Sequence, residues 1–316
     1  MSCARATDEM LIELAARGGL DLLWCRFLSE PGRVFSPLNQ QRHSMSLSSA
    51  RPSVLSQDTE IKLLAAMLPY VRPTFVDVGA ERGAFARFLA GHGLRGTLFE
   101  PLPQHQASLD AIGREHGTRH FPFAIDEKDG KAQFHIACDE KGQPLNFFHS
   151  LQKLENDPRV HHTQSWPVVC RSLASLQAEG LVDSELGVLK IDTEGNDLRV
   201  LRGLGPVHAE VMMCEFFTPG IYNGWSEAEP LGLIEEARRQ GFAHWLAVKR
   251  RQSAEIISLN PLAFGRQEWG NLLFLRDAVF QSAWPALSAI VAAAEEKLFS
   301  QLEAAPARRR GKWLRW

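Results

Sequence analysis

Cysteine is sparse and unpatterned: the chain has five (Cys3, Cys25, Cys138, Cys170 and Cys214), and none forms a C-x-x-C pair. An odd, scattered set indicates neither a disulfide framework nor a zinc centre, and it suits a reducing compartment. No charge of one sign dominates, with 35 Lys and Arg against 37 Asp and Glu, so a general nucleic-acid binder is not expected. No stretch approaches the roughly 18 uninterrupted apolar residues of a membrane span. Asp8, Glu9 and Glu13 leave the N-terminus without the charged-then-apolar form of a secretion signal. The expected location is the cytoplasm. No internal repeat is visible. Also missing is G-x-G-x-x-G, the three-glycine turn that cradles a dinucleotide pyrophosphate, which disfavours an NAD-linked oxidoreductase.

What is present is a core-forming composition, 45% hydrophobic over 316 residues, enough for one large α/β domain with extensions. The chain is organised around Phe75-Val76-Asp77-Val78-Gly79-Ala80-Glu81-Arg82-Gly83-Ala84-Phe85. This reads as a short buried strand, a glycine turn and a helix. Gly79 and Gly83, lacking Cβ atoms, let the backbone bend sharply and approach a ligand. Thr97-Leu98-Phe99-Glu100-Pro101 follows as a second apolar strand ending in acid, with Glu100 placed 23 positions after Asp77. That is close to the spacing at which a carboxylate grips ribose hydroxyls. With Glu at position 81, the turn is Asp77-x-Gly79-x-x-x-Gly83. This is the pattern of S-adenosylmethionine sites, whose ligand carries no phosphate.

In chain order, apolar residues from Met10 to Phe27 predict a helical arm over 7–29, and residues 31–56 read as a linker. A helix over 58–70, capped by Ser56 or Asp58, precedes the first strand. Further strands are expected over 120–126, 132–137, 167–170, 186–192 and 210–215, and helices over 103–116, 172–179 and 227–240. Residues 242–248 and 271–275 are expected as a closing edge pair, and 143–162 as a polar surface loop carrying His149. Such alternation means a doubly wound, largely parallel sheet, with ligands outside the carboxyl ends of its strands. Glu100, Asp126, Asp192 and Glu215 all stand at predicted strand ends.

Leu189-Lys190-Ile191-Asp192-Thr193-Glu194-Gly195, followed by Val200-Leu201-Arg202-Gly203, resembles the FkbM-type methyltransferase family. The Val76-to-Ala80 turn, Phe99-Glu100-Pro101, Ala124-Ile125-Asp126, His149-Ser150-Leu151, Cys214-Glu215-Phe216 and Asn271-Leu272-Leu273-Phe274 agree in order and spacing. Glu81 stands where the family often has Asn, and Asn196-Asp197 replaces a more usual small-acidic pair. The resemblance implies an α/β class I methyltransferase fold, Rossmann-like and doubly wound, with a mostly parallel seven-stranded sheet whose last strand is antiparallel. Residues 1–56 would be an N-terminal helical extension and linker, 57–277 the methyltransferase domain, and 278–316 a C-terminal helix and tail. The implied methyl donor is S-adenosylmethionine, and the implied acceptor a hydroxyl on a sugar, glycolipid, polysaccharide or polyketide.

By matching positions, Asp77, Gly79, Ala80, Glu81, Gly83 and Phe85 would surround the methionine end. Glu100 and Pro101 would take the ribose, and Ala124 and Asp126 the adenine edge. Asp192, Glu194 and Glu215 should face the transferring methyl or the acceptor. Asp192 is the first candidate base and the loop residue His149 the second. The acidic trio can also hold Mg²⁺ through oxygen ligands, although a structural Asp192–Lys190 pair accounts for the same residues, and none is assigned to a metal. Phe216, Phe217, Tyr222 and Trp225 are candidates to stack on an acceptor. The tail at 308–316 carries five cations, two Trp and one Leu. That composition suits peripheral contact with an anionic membrane, or a glycosyltransferase partner.

Overall fold

The computed structural model describes residues 57–145, 148–154, 159–219, 221, 229–251 and 254–304. The helical arm and linker expected before residue 57, Tyr222, Trp225 and the basic tail lie outside these residues.

The chain opens with helix α1 (Asp58–Met67) and a 3-10 turn, then strand β1 (Thr74–Val78), α2 (Ala84–Gly91), β2 (Arg95–Phe99) and α3 (Pro103–His116). Next come β3 (Arg119–Phe121), β4 (Ala124–Ile125), β5 (Gly130–Cys138), β6 (His161–Arg171) and α4 (Leu173–Ala178). The remainder is β7 (Glu185–Ile191), α5 (Asp197–Arg202), β8 (His208–Phe217), α6 (Pro230–Arg239), β9 (His244–Arg251), β10 (Ala254–Leu259), β11 (Trp269–Leu275) and α7 (Asp277–Ala304). The main sheet runs β10-β9-β11-β8-β7-β1-β2-β3. Strands from β3 to β8 in that order are parallel, and β11 lies antiparallel between β8 and β9.

This is the class I methyltransferase arrangement with one strand more than expected. The eighth strand, β10, folds back antiparallel on β9 at the edge. Consequently 242–248 and 271–275 are not an edge pair, because β11 is inserted inside the sheet. The single strand expected over 120–126 is two strands. Pro122, with no N–H to donate, separates β3 in the main sheet from β4, which joins β6 and β5 in a small second sheet. At the start of α1 the cap is Gln57, without a side-chain hydrogen bond, rather than Ser56 or Asp58.

Apolar runs in the central strands are nearly continuous because both faces are covered. Successive residues alternate between two cores: Phe75, Val188, Met213, Val248 and Leu273 face one, and Val76, Leu189, Cys214, Ala247 and Leu272 the other. Helices α1, α2, α3 and α7 cover the first core and α4, α5 and α6 the second. Helix α7 continues through Pro285 and buries Val279, Ala283, Leu287 and Val291.

Candidate active site

A cleft of about 460 Å³ opens at the carboxyl ends of β1, β2, β7 and β8. Its first half is built by the turn after β1 and the ends of β2 and β4: Gly79, Ala80, Glu81, Phe85, Glu100, Pro101, Leu102, Phe123, Ala124 and Ile125 all line it. Gly79 N and Ala80 N donate to Phe99 O at 3.0 and 3.1 Å, which ties the turn to the neighbouring strand. Gly79 has φ +73°, and a Cβ there would lie 1.9 Å from the Asp192 carbonyl oxygen. Its freedom therefore lets two backbone segments meet. Gly83 does not line the cleft. It caps α2 at φ +78°, and a Cβ would meet Ile112 Cδ1 at 2.2 Å, so it serves the packing of α2 on α3 rather than a ligand.

Glu100 accepts from Glu81 N at 3.0 Å and from Leu102 N at 2.9 Å, one bond to each carboxylate oxygen. Lone pairs remain for two ligand hydroxyls. Burial pushes its carboxyl up to about 7, and the two backbone donors only partly oppose this. Besides Gly83, two further expected cofactor residues are not brought to the cleft. Asp77 is fully buried beneath it, accepting from Lys190 Nζ at 3.0 Å. Asp126 is clamped by Arg199 at 2.6 and 3.1 Å. Burial alone would raise the Asp126 carboxyl, but the guanidinium more than offsets this and holds it below the usual range.

At the junction of the two halves, Asp192, Glu194 and Glu215 place carboxylate oxygens within 4.8 Å of one another. Lys190 reaches Asp192 at 3.6 Å as well as Asp77, as its shared strand face with Asp192 predicts. These two carboxylates keep the buried ammonium charged against the cost of desolvation. Asp197 accepts from Thr193 N at 2.9 Å, from the Thr193 hydroxyl, and from Glu215 N at 2.8 Å, and so ties the end of β7 to β8. Asn196 is likewise buried, donating to Ile125 O at 3.3 Å and accepting from Gln152 at 3.0 Å. The Asn196-Asp197 pair thus braces the site from behind instead of lining an acceptor pocket. Burial, and then the neighbouring carboxylates, push both Glu194 and Glu215 well above the ordinary range.

The second half of the cleft holds Phe148, His149, Phe217, Trp269 and Arg250, with Gln57 and Ile61 at the α1 side. Phe217, Trp269 and Arg250 are register neighbours across β8, β11 and β9. Arg250 is held by Glu60 at 2.6 and 2.7 Å and by Glu255 at 2.8 Å, and Glu60 also accepts from Asn271 at 2.8 Å. Sequence reasoning missed Arg250 and Trp269. The available signal was strand parity: Arg250 lies two residues from Val248 and Trp269 four from Leu273, both of which face the first core. Phe216 points into the opposite core, as strand alternation requires once Phe217 faces the cleft.

His149 is not a solvated loop residue. The loop is pinned because Ser150 pairs with His135 (2.7 and 3.2 Å), and the Ser150 hydroxyl donates to Thr193 O at 3.4 Å. Ala137 N donates to His149 Nδ1 at 3.0 Å, so the ring proton sits on Nε2, which is buried without a partner among the described residues. Burial, then His105, pushes its pKa down. A neutral ring with its free lone pair already engaged can donate from Nε2 but cannot act as the base. The adjacent pair His161-His162 stays out of the cleft, and His162 accepts from Leu154 N at 3.2 Å.

The cleft fits a phosphate-free nucleoside. Among the described residues its only lining Lys and Arg, Lys190 and Arg250, are both ion-paired, Glu100 keeps lone pairs for hydroxyls, and the volume is that of a small-molecule site. The family model for the methyltransferase FkbM domain matches residues 77–252. No curated protein matches the chain in sequence. Among solved structures it is similar to precorrin-6y C5,15-methyltransferase from Geobacter metallireducens, at 9% identity and TM-score 0.36 over 72% of this chain and 93% of that one. It is also similar to a TehB-like SAM-dependent methyltransferase from Corynebacterium glutamicum, at 13% identity and TM-score 0.33, covering 69% and 88%. An O-methyltransferase family protein from Burkholderia thailandensis gives 12% identity and TM-score 0.35, covering 69% and 55%. With the family match spanning more than half the chain, from the end of β1 through the acidic junction to the end of β9, this protein belongs to the FkbM-domain methyltransferases, whose methyl donor is S-adenosylmethionine.

Proposed function

We propose that this methyltransferase modifies a hydroxyl oxygen on a sugar of a glycan, polysaccharide or glycolipid. The observation that supports this most is the junction itself: carboxylates gathered at one point, beside a wall of Phe148, Phe217 and Trp269. A hydroxyl needs help to lose its proton, and a carboxylate within reach supplies it. Flat aromatic faces suit the apolar face of a sugar ring.

The donor, when bound, supplies a methyl group activated by its sulfonium charge. In this reading Glu100 accepts the ribose hydroxyls and the backbone of Gly79 to Glu81 holds the amino-acid end. Ala124 and Ile125 flank the adenine, the part expected of Asp126 being unavailable while Arg199 holds it. Asp192 takes the acceptor proton, and Lys190 fixes its orientation. The apolar surround supports a second reading, in which the acceptor is a polyketide or another small secondary metabolite. The loop whose shape should separate the two, 217–229, falls largely outside the described residues.

The test pairs calorimetry against S-adenosylmethionine and NAD with transfer of labelled methyl to a panel of glycan and polyketide hydroxyls. Label on a sugar oxygen is expected. Label only on polyketides sinks the sugar reading, and binding without turnover would mark a module that keeps the fold but not the chemistry. Glu100→Ala should weaken donor affinity, whereas Asp192→Ala should abolish turnover with donor affinity kept within about tenfold. The basic, Trp-bearing tail supports docking at the inner face of a membrane. Unchanged partitioning onto anionic vesicles after deletion of residues 305–316 would remove that part of the proposal.

A further inference from the structure

Five carboxylates crowd the carboxyl ends of β1, β7 and β8: Asp77, Asp192, Glu194, Asp197 and Glu215. The single ammonium among them in the described residues, Lys190, is taken by Asp77 and Asp192. Asp197 is satisfied by backbone and hydroxyl donors. No ion pair reaches Glu194 or Glu215 among the described residues. One oxygen each from Asp192, Glu194 and Glu215 lies within 4.8 Å of the others. Oxygens on opposite sides of a Mg²⁺ ion are about 4.0–4.2 Å apart and those around Ca²⁺ about 4.6–5.2 Å, so less than about 1 Å of side-chain movement brings the trio into one coordination shell.

A second observation points to an occupant. Glu215 is only 8% exposed, it lines the cleft, and its Oε2 is buried with no hydrogen-bond partner among the described residues. A carboxylate oxygen removed from water with no donor is costly, and a cation placed against it offsets that cost. We propose that Asp192, Glu194 and Glu215 form a binding site for a hard divalent cation, Mg²⁺ or Mn²⁺, at the junction of the donor and acceptor halves. The ligands are all carboxylate oxygens, which such ions prefer, and the open side toward Phe217 and Trp269 leaves positions for water or an acceptor oxygen. The ion's use rests on the proposed hydroxyl methylation: a hydroxyl bound to it gives up its proton more readily. Its binding does not depend on that reading.

The experiment uses the full chain after chelator treatment. Loss of the free Mn²⁺ paramagnetic resonance signal on titration measures the site, and competition by Mg²⁺ is followed in the same samples. One equivalent of Mn²⁺ is expected, displaced by Mg²⁺. Glu194→Gln and Glu215→Gln should each weaken it at least about tenfold, since even the outer partners of metal ligands cost that much. Glu185→Gln, on the opposite end of the sheet beside Arg72, should leave it intact. If Glu215→Gln fails to fold, Glu194→Gln decides alone. No Mn²⁺ uptake at millimolar concentration, or uptake that both trio variants leave unchanged, overturns the proposal. S-adenosylhomocysteine titrated in parallel separates the two readings. Its binding without Mn²⁺ uptake overturns the cation site alone, and trio-dependent Mn²⁺ uptake without it supports the site and overturns the donor assignment.

Discussion

Replacing Lys190 by Met tests the electrostatic frame of the site. Lys190 and Asp77 have side chains 5% and 0% exposed and meet at 3.0 Å. The ammonium also donates to Gly79 O at 3.2 Å and stands 3.6 Å from Asp192. Met fills the aliphatic volume but leaves Asp77 buried with no cation, a change that costs about 3–5 kcal/mol. For a domain of this size each kcal/mol moves the melting temperature by about 2–4 °C, so a drop of roughly 6–20 °C is expected. The pH dependence has a definite sign. Without Lys190, Asp77 must stay protonated to remain buried, so its folded pKa lies further above its unfolded value than in the parent. The stability it contributes is then present at low pH and lost as pH rises. The variant's deficit should therefore widen between about pH 4 and about pH 8 in urea unfolding followed by circular dichroism. Asp77→Asn combined with Lys190→Met removes both charges and should recover most of the loss. If Lys190→Met costs less than about 1 kcal/mol, or if the double variant is no better than the single one, Asp77 does not depend on Lys190 as a buried ion pair must.

Glu100, with its carboxyl raised to about 7, gives a second titration. Its own contribution to stability is present below its ordinary value of 4.5 and fades as pH rises through about 7. Donor affinity runs the other way, because ribose hydroxyls need the ionised form. It should fall about tenfold per pH unit below the folded pKa, with proton release visible calorimetrically in buffers of different ionisation enthalpy. A flat affinity over that range would mean Glu100 does not hold the ligand. Gly79→Ala would place a Cβ 1.9 Å from the Asp192 carbonyl, so the variant should lose donor binding and melt earlier, and normal binding would contradict the close approach described. For His149, nitrogen NMR should find a neutral ring protonated on Nε2 at pH 7, and a titration at the ordinary histidine value would contradict its engagement by Ala137.

The parallel sheet was legible because its strands are apolar on both faces and end in turns rich in glycine or acid. The helices expected at 103–116 and 172–179 are found at Pro103–His116 and Leu173–Ala178, the second with Ser172 as a cap that accepts from Ser175 N. Elements set by tertiary pairing were not legible. Strand β10 finds its strand partner only in β9, and the break at Pro122 sends β4 to a sheet that the sequence does not announce. At the site, residue type was a good guide to the acidic junction and a poor guide to Asp126, whose outcome depended on Arg199, 73 residues away in sequence. His149 illustrates the same limit. Its loop is polar and aperiodic, so it reads as solvated until Ser150 and Ala137 are seen to hold it in.

Strand parity connects these cases. Asp77, Lys190, Asp192, Glu215, Asn271 and Arg250 share the face of Phe75, Val188, Met213, Leu273 and Val248, with Asp77 opposite Lys190 and Glu215 opposite Asn271 in register. One face of the sheet is therefore apolar along most of its length and polar at its carboxyl end, a pattern a buried sheet tolerates only where each polar group is paired or meets a ligand. Most are paired: Asp77 with Lys190, Arg250 with Glu60, and Asn271 with Glu60 through its amide nitrogen. Among the described residues three oxygens of the row are left over: the second carboxylate oxygen of the ion-paired Asp77, and Glu215 Oε2 and Asn271 Oδ1, which are neighbours in register and belong to no ion pair. The protein thus neutralises its buried polar row on both flanks and leaves it uncompensated in the middle, where the donor half of the cleft meets the acceptor half. That gap is where the proposed hydroxyl deprotonation and the proposed cation are both placed, on the one stretch of the row that has no ion pair of its own.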